Sequence, residues 1–593
     1  MGVFSTSLRT HTCGELRAKN EGERVTLTGW VHSHRDHGGV IFIDLRDRFG
    51  ITQIVFEPAH NQELHKEAEK IRREWVIQVE GVVRKRTPGM ENPKIPTGEI
   101  EILADKLTIL NKSKTPPFEI EDREKLTEET RFRYRYLDLR RPSMFKKLYF
   151  RHKAAQVVRN FLSENGFVEV ETPMLVKSTP EGARDFIVPS RLHPGKFYAL
   201  PQSPQLYKQI LMVAGIDRYF QLARCLRDED LRADRQPEHT QIDFEMSYVE
   251  EKDIHNLVEN LMKKLFKELL GIDLETPFPR LTYKDAMLYY GSDKPDLRFD
   301  LKIVDVTDIV KDSEFSVFKS VVEKGGVVRC IAPKGEFSRK DLDDYIAFAQ
   351  KNGAKGMAWM RYTEKGLESN IVKYFPEEIQ QKLIERVKPE VGSVLMFIAD
   401  KEKLTAEVIG KLRLKVAEDK GYIPDDPNLF KFVWIVDFPL FEWDEEKRKW
   451  EPAHHMFTMP KKEFIGKLKD DPGSVICSQF DLVLNGVELG SGSIRINDPK
   501  IQEEVMEVVG FPKEVAYERF GFLLKAFEYG APPHGGMGLG FDRLVALMQG
   551  ENDIREVIAF PKTSSGVSLI DDSPSEVTTE QLEELHIKIV KPK

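Results

Sequence analysis

Cysteine is scarce: Cys13, Cys225, Cys330 and Cys477 stand far apart in 593 residues. No CxxC pair or short spacing joins them, so neither a thiolate metal site nor a disulfide framework is expected. No apolar run approaches the ~20 residues that a membrane helix needs, and the N-terminus carries no signal-peptide pattern. A reducing cytoplasm is the expected setting, with no membrane partner. Also missing are a Walker A loop, a GxSxG elbow and an HExxH helix, which sets aside three common catalytic designs. There is no internal repeat and no low-complexity tract. The net charge of −8 argues against indiscriminate nucleic-acid binding. It leaves room for a local basic surface, which selective binding of a polyanion requires.

The remainder is ordinary in bulk, 40% hydrophobic and 31% charged, and too long for a single core, so several domains are expected. Residues 1–110 read as all-β: five alternating segments, with a helix expected from about Gln62 to Glu74 between the third and fourth. That pattern suits a five-stranded Greek-key barrel of the OB type, a fold that binds single-stranded nucleic acid through a face of aromatics and cations. Arg35, Phe42, Arg46 and Gln53 are the candidates for that face, with Phe42 open to either a surface or a core role. Residues 111–140 form a connector and hinge whose Arg131-Phe-Arg-Tyr-Arg-Tyr-Leu-Asp-Leu-Arg-Arg141 run is a candidate for phosphate contacts. A helix is expected from about Phe145 to Asn165, closed by Gly166. Strands and helices alternate over 141–285 and again over 421–560, separated by an α/β insertion at 286–420; 561–593 is a C-terminal extension.

Chemistry concentrates in a few segments. Arg224 to Asp243 holds four arginines and six carboxylates between apolar flanks, with Pro237 inside. Proline argues against one helix, so two strands joined by a charged loop are expected. Arg227 then stands at a strand end, where a guanidinium can grip an anion through paired hydrogen bonds. Ser178 to Asp185 is a loop with Glu181 beside glycine. Pro201 to Lys208 sets Ser203, Gln205 and Lys208 at a turn into a helix. Asp481 and Glu488, seven residues apart, can hold Mg²⁺ together with phosphates. Gly535 to Arg543 is a glycine-rich strand running into a helix.

Gly166–Pro173, Arg227-Asp-Glu with its flanks, and Gly540-Phe-Asp-Arg543 resemble motifs 1, 2 and 3 of the class II aminoacyl-tRNA synthetases. Thr179-Pro-Glu-Gly-Ala-Arg-Asp, Gln202-Ser-Pro-Gln, Asp230-Leu-Arg-Ala-Asp-Arg-Gln-Pro-Glu and Tyr290-Gly-Ser-Asp-Lys-Pro-Asp-Leu-Arg are similar to the bacterial-type aspartyl enzymes, over nearly the whole chain. The resemblance implies an α+β multidomain protein. Its parts are an N-terminal anticodon-binding OB barrel and a six-stranded antiparallel catalytic sheet interrupted by the insertion. It implies a homodimer with motif 1 at the interface, which would bring Phe167 and Pro173 near the partner. It also implies activation of L-aspartate by ATP with Mg²⁺ and transfer to tRNA. Arg227 would bridge the aspartate α-carboxylate and the α-phosphate, Arg543 would hold the γ-phosphate, and Glu488 with Asp481 would hold the metal. Asp228, Glu229, Gln236, Gly540, Phe541 and Asp542 would contact ATP, with Phe244 a candidate for stacking on adenine. Ser203, Gln205, Lys208 and Arg495 would take aspartate, Glu181 and Asp243 its ammonium, and His454 or His455 would close over it. An asparagine amide would leave Lys208 and Arg495 unpaired, so discrimination can reach about 10⁴–10⁵. Arg495→Leu is expected to abolish activation and leave the fold intact.

Two kinds of enzyme exist in this family, one charging only tRNA-Asp and one also charging tRNA-Asn. His37 in Arg35-Asp-His-Gly-Gly39, and Gly89, are similar to the relaxed kind, although Thr87-Pro88 departs from the usual Pro-Glu. The two anticodons differ at the third base, and a small glycine does not reject the wrong one. A strict tRNA-Asp enzyme is the alternative, as is a non-catalytic RNA-binding relative. The presence of Arg227, Glu488, Arg495 and Arg543 weighs against the last. Asparaginyl or lysyl enzymes lack the insertion and the aspartate-type signature, and an asparagine synthetase on this fold has no need of the barrel.

Overall fold

The computed structural model describes residues 5–123, 125–179, 183–231 and 234–590. They fall into two units, Met1–Tyr149 with Arg555–Pro574, and Phe150–Ile554 with Ser575–Lys593. No helix is long and apolar enough to cross a membrane among the described residues.

In the first unit β1 (Arg24–His37), β2 (Val40–Asp47), β3 (Gly50–Phe56), β4 (Val76–Lys85) and β5 (Ile100–Asn111) close a barrel in the order β1-β2-β3-β5-β4. Alternation dictates it: Val25, Leu27, Val31, Ile41, Ile43, Leu45, Ile77 and Val79 point inward and are buried. The β1–β2 turn needs left-handed backbone at both central positions, supplied by Gly38 and Gly39. The helix before β4 covers only Gln62–Ala68, capped by Asn61. It stops short of the expected Glu74 because the chain turns back there: Glu74 is left-handed, its N–H bonds Val31 O at 2.7 Å, and its buried carboxylate takes Arg46 at 2.8 Å.

The arginine-rich hinge also departs from expectation. Asp138 is fully buried and accepts Arg131 (3.1 Å), Arg135 (2.8 Å) and Arg141 (3.0 Å). Arg135 further caps the carbonyls of Arg555, Ile558 and Ala559, and Arg131 pairs with Glu556 at 2.6 Å. Three of the five arginines therefore build an internal network around one buried carboxylate, which leaves them poorly placed to meet phosphate.

The second unit is organised by an eight-stranded sheet. Its strands are β6 (Val168–Glu169), β7 (Arg218–Leu226), β8 (Glu238–Ser247), β9 (Arg280–Thr282), β10 (Phe432–Val436), β11 (Gln479–Leu484), β12 (Val487–Ile494) and β13 (His534–Gly540), in the order β9-β10-β11-β12-β13-β8-β7-β6. The six central strands are antiparallel, and short β9 and β6 add one parallel pair at each edge. Four helices matter below: α1 (Gln205–Val213), α2 (Tyr283–Tyr290), α3 (Glu402–Asp419) and α4 (Phe541–Met548). Between β9 and β10 lies a separate five-stranded sheet spanning Val304–Asp400, covered by α3 and other helices over their own core. Phe167 is buried and packs edge-on against Phe244, 6.0 Å between centroids, so it is core rather than surface. Pro173, Met174 and Leu175 beside it are exposed.

Candidate functional site

One face of the large sheet carries the polar residues, and strand alternation explains why. In His239-Thr-Gln-Ile-Asp-Phe-Glu245, the side chains of His239, Gln241, Asp243 and Glu245 share a face; Thr240, Ile242 and Phe244 take the other. Across the ladder Gly540, Gly538 and Gly536 stand opposite Gln241, Asp243 and Glu245. The glycines make the floor. A Cβ on Gly536 would lie 2.1 Å from Glu245 Oε2, and one on Gly538 would lie 3.0 Å from Gln241 Oε1. Above this floor is a cavity of about 1060 Å³.

Its lining includes Ser203, Gln205, Lys208, Arg227, Asp228, Glu229, Gln236, Asp243, His454, Glu488, Arg495, Gly540, Asp542 and Arg543 from the sequence-derived set. Glu181 lies outside the described residues. Asp481 is buried and outside that lining, and three further residues of the set sit differently. Phe244 is fully buried on the opposite face of β8, so it cannot stack on a ligand in the cavity. Phe541 is buried beneath the Arg151 guanidinium, 4.8 Å from its ring centre, and is not in the lining. Asp542 reaches the cavity edge, yet its carboxylate takes Arg151 and the Thr240 N–H (2.7 Å), tying α4 to β8.

The deepest part is a buried four-charge cluster. Lys208 Nζ lies 2.8 Å from Asp243 and 3.2 Å from Glu245, and Arg495 Nε lies 2.9 Å from Glu245. Glu245, absent from the sequence-derived set, is fully buried and bridges both cations. Burial opposes its ionisation, but Arg495 and Lys208 outweigh that and hold its carboxyl below the ordinary range. Burial pushes Asp243 up, against Lys208 and the Tyr219 hydroxyl, which favour its carboxylate, and the residue lines the cavity. Arg495 donates four hydrogen bonds, two to Glu245 and one each to Ser493 Oγ and Gly536 O. Its remaining Nη1 hydrogen faces His455 Nε2 at 3.3 Å. Burial and then Arg495 push His455 well below its usual value, so it is neutral; its Nδ1 accepts the Phe457 N–H at 3.2 Å, which places the ring proton on Nε2 and leaves that nitrogen unable to accept from Arg495. With Glu245 dependent on Arg495, Arg495→Leu leaves a buried carboxylate half-paired, and an intact fold is no longer expected.

Arg227 continues the β7 face past the strand end. It has no ion pair among the described residues, only a long bond from Nε to Gln202 O at 3.5 Å. Arg543 Nη1 donates to Glu488 O at 2.6 Å. Two lining residues were overlooked by the sequence reading. His239 is the one, its pKa pushed down to about 4 by burial and then by Arg227. With His454 and His455 it supplies the aromatic rings of the described lining, which contains no Phe, Tyr or Trp. Lys294, from the Gly291-Ser-Asp-Lys-Pro295 turn, is the other; its ammonium lies 3.1 Å from Glu488 Oε2.

Glu488 pairs across the ladder with Val483, and Asp481 stands two residues from Val483, so both carboxylates share a face. Burial, then the nearby Glu488, pushes the Asp481 carboxyl well above its usual range. Among the described residues no group of three or more His, Cys, Asp or Glu could hold a metal. Two carboxylates suit an ion that takes its remaining ligands from water and phosphate, as Mg²⁺ does.

On the barrel, Phe42 is half-buried on the outer face opposite Arg35, a position that exposes part of its ring. Arg35 reaches Asp44 (3.0 Å) and Gln53 (3.4 Å), and Gln53 donates to Glu101 at 2.8 Å. Arg46 is buried against Glu74 and is not available there. His37 is exposed at the β1–β2 turn. Gly89 occupies an exposed left-handed turn with nothing within 4 Å of an added Cβ, so backbone strain alone favours glycine.

A family model described as "tRNA synthetases class II (D, K and N)" matches residues 127–564, and an "OB-fold nucleic acid binding domain" matches 25–110. Curated relatives named "Aspartate--tRNA(Asp/Asn) ligase" include that of Caldanaerobacter subterraneus subsp. tengcongensis, 54% identical over 98% of both chains. Those of Aquifex aeolicus (53%) and Dictyoglomus turgidum (55%) likewise match over 98% of this chain. Among solved structures, asparaginyl-tRNA synthetase from Pyrococcus horikoshii complexed with asparaginyl-adenylate aligns with TM-score 0.58 at 20% identity, covering 93% of this chain and 97% of that one. The Entamoeba histolytica asparaginyl-tRNA synthetase aligns with TM-score 0.56 at 18% identity, covering 93% and 98%. These last two speak to the fold alone.

Proposed function

The chain belongs to the class II tRNA synthetases of the aspartate, lysine and asparagine group, ligases that form aminoacyl-tRNA, and from that premise we propose how its residues work. It activates L-aspartate with ATP and transfers the aspartyl group to tRNA-Asp and tRNA-Asn. The relatives named Aspartate--tRNA(Asp/Asn) ligase support the double tRNA specificity. The observation that carries the amino-acid assignment is that buried Lys208 and Arg495 line the cavity beside the Asp243 carboxylate.

Aspartate enters with its side-chain carboxylate toward Arg495 and Lys208. That carboxylate accepts the Arg495 Nη1 hydrogen that faces His455, a charged acceptor where the imidazole offers none. The substrate ammonium donates to Asp243. Arg227, without a carboxylate partner among the described residues, holds the α-carboxylate beside the α-phosphorus. The carboxylate oxygen attacks that phosphorus, the bond from the α-phosphorus to the α,β-bridging oxygen breaks, and pyrophosphate leaves. No enzyme nucleophile is needed, and the work is positioning and charge neutralisation. Arg543 holds the far end of the phosphate chain. Glu488 and Asp481 would hold Mg²⁺, which when bound neutralises phosphate charge. His239, neutral above about pH 4, offers its ring face to adenine. The terminal ribose hydroxyl of tRNA then attacks the aspartyl carbonyl, and AMP leaves.

The outer barrel face around Arg35, Phe42 and Gln53 takes the anticodon by stacking and hydrogen bonds. Exposed Pro173, Met174 and Leu175 support a homodimer through the motif 1 segment, and the reaction belongs in the cytoplasm. Aspartate-dependent ATP–pyrophosphate exchange tests the reading: aspartate should support it and asparagine should fall short by about 10⁴. Equal exchange with the two amino acids would reject the assignment of Lys208 and Arg495.

A further inference from the structure

The cations of the cavity differ in what holds them. Lys208 and Arg495 are sealed against Asp243 and Glu245. Lys294 is instead partly open to the cavity, and its side chain spans to Glu488 Oε2 at 3.1 Å. The turn that carries it is fixed from two sides. Gly291 ends α2 so close to α3 that a Cβ would lie 2.2 Å from Ala406 O. Arg413 of α3, itself buried, donates to Leu301 O (2.6 Å), Asp296 O (3.1 Å) and Phe299 O (3.3 Å). On the other side Asp296 packs on the Gly486 turn between β11 and β12, 3.1 Å from an added Cβ. That turn leads directly into Glu488. The insertion helix, the Lys294 turn and the Glu488 hairpin thus form one braced unit.

A carboxylate suited to a divalent ion draws a counter-charge when that ion is absent. Lys294 supplies one. We propose that Lys294 is the counter-ion of Glu488 until a divalent ion binds, and that it transfers to the phosphate chain of ATP when Glu488 is taken by that ion. The site exchanges one neutralised arrangement for another, and the freed ammonium meets the part of ATP that departs as pyrophosphate. No bond is made or broken in the exchange. This inference rests on the adenylate-forming reading of the cavity.

Lys294→Met and Lys294→Arg in the full chain test it. Binding of Mn²⁺ without ATP, followed by loss of the free-ion electron paramagnetic resonance signal, should tighten about fivefold in Lys294→Met, since a competing cation is removed. The KM for ATP and for pyrophosphate should rise about tenfold, with the KM for aspartate unchanged, because a charged hydrogen bond is lost at the phosphates only. Lys294→Arg should recover most of the ATP effect. Unchanged Mn²⁺ affinity, or unchanged ATP and pyrophosphate KM, overturns the inference while aspartate-dependent exchange by the unaltered protein still supports the broader reading. Absence of that exchange in the unaltered protein overturns both the adenylate-forming reading and this inference.

Discussion

Arg495→Leu has two consequences that a simple binding role would not join. It removes four hydrogen bonds, two of them to Glu245. Glu245 remains fully buried, with Lys208 at 3.2 Å as its remaining ion-pair partner. Breaking a buried pair by removing one partner costs about 3–5 kcal/mol, so thermal unfolding should begin at distinctly lower temperature. Aspartate activation should fall by about 10⁴ or more, since the substrate carboxylate loses its guanidinium partner. The double variant Arg495→Leu/Glu245→Gln separates the two effects. Neutralising the stranded carboxylate should restore about half of the lost stability, leaving an unsatisfied amide at about 1–3 kcal/mol, and should restore no activation. Differential scanning fluorimetry and pyrophosphate exchange on the same preparations read both. A single variant with unaltered melting, or a double variant that activates aspartate, would refute the reasoning.

Glu556 is held down to about 2, against burial, by Arg131 and Lys147. A depressed carboxylate contributes above its unfolded value of 4.5 and is lost as pH falls toward 2, a window worth about 3 kcal/mol. Glu556→Gln should therefore destabilise the first unit at neutral pH and flatten its acid unfolding between pH 4.5 and 2. His239→Ala should raise the KM for ATP about tenfold and His239→Phe should not, as stacking is worth about 1–3 kcal/mol; an unchanged KM in the alanine variant would remove the ring from that role. In the unaltered protein the KM for ATP should stay flat above about pH 5 and rise only as pH approaches the His239 value of about 4. Gly536→Ala should lose stability by at least about 1–3 kcal/mol, because its Cβ would meet Glu245 Oε2 and Phe244 O at 2.1 Å each; wild-type melting would contradict the tight floor.

The barrel and the charged loop between two strands were legible because both rest on period-two patterning and proline, which act locally. The same alternation already separated Asp243 from Phe244, and attending to it would have found His239 and Glu245 and excluded Phe244. Glu245 escaped because its meaning depends on Arg495, 250 residues away. Lys294 escaped for a similar reason: its turn belongs to the insertion in sequence and reaches Glu488 only through the packing of α3. The hinge arginines misled because arginine among aromatics suits phosphate and a buried carboxylate equally, and Asp138 decides for the latter. A boundary failed where the chain turns back early, as in the helix expected from Gln62 to Glu74, which ends at Ala68.

The most direct test is aminoacylation with labelled aspartate on two purified transcripts, tRNA-Asp and tRNA-Asn. Comparable charging of both is the predicted result. Failure to charge either, with aspartate and ATP at saturation, would contradict the account.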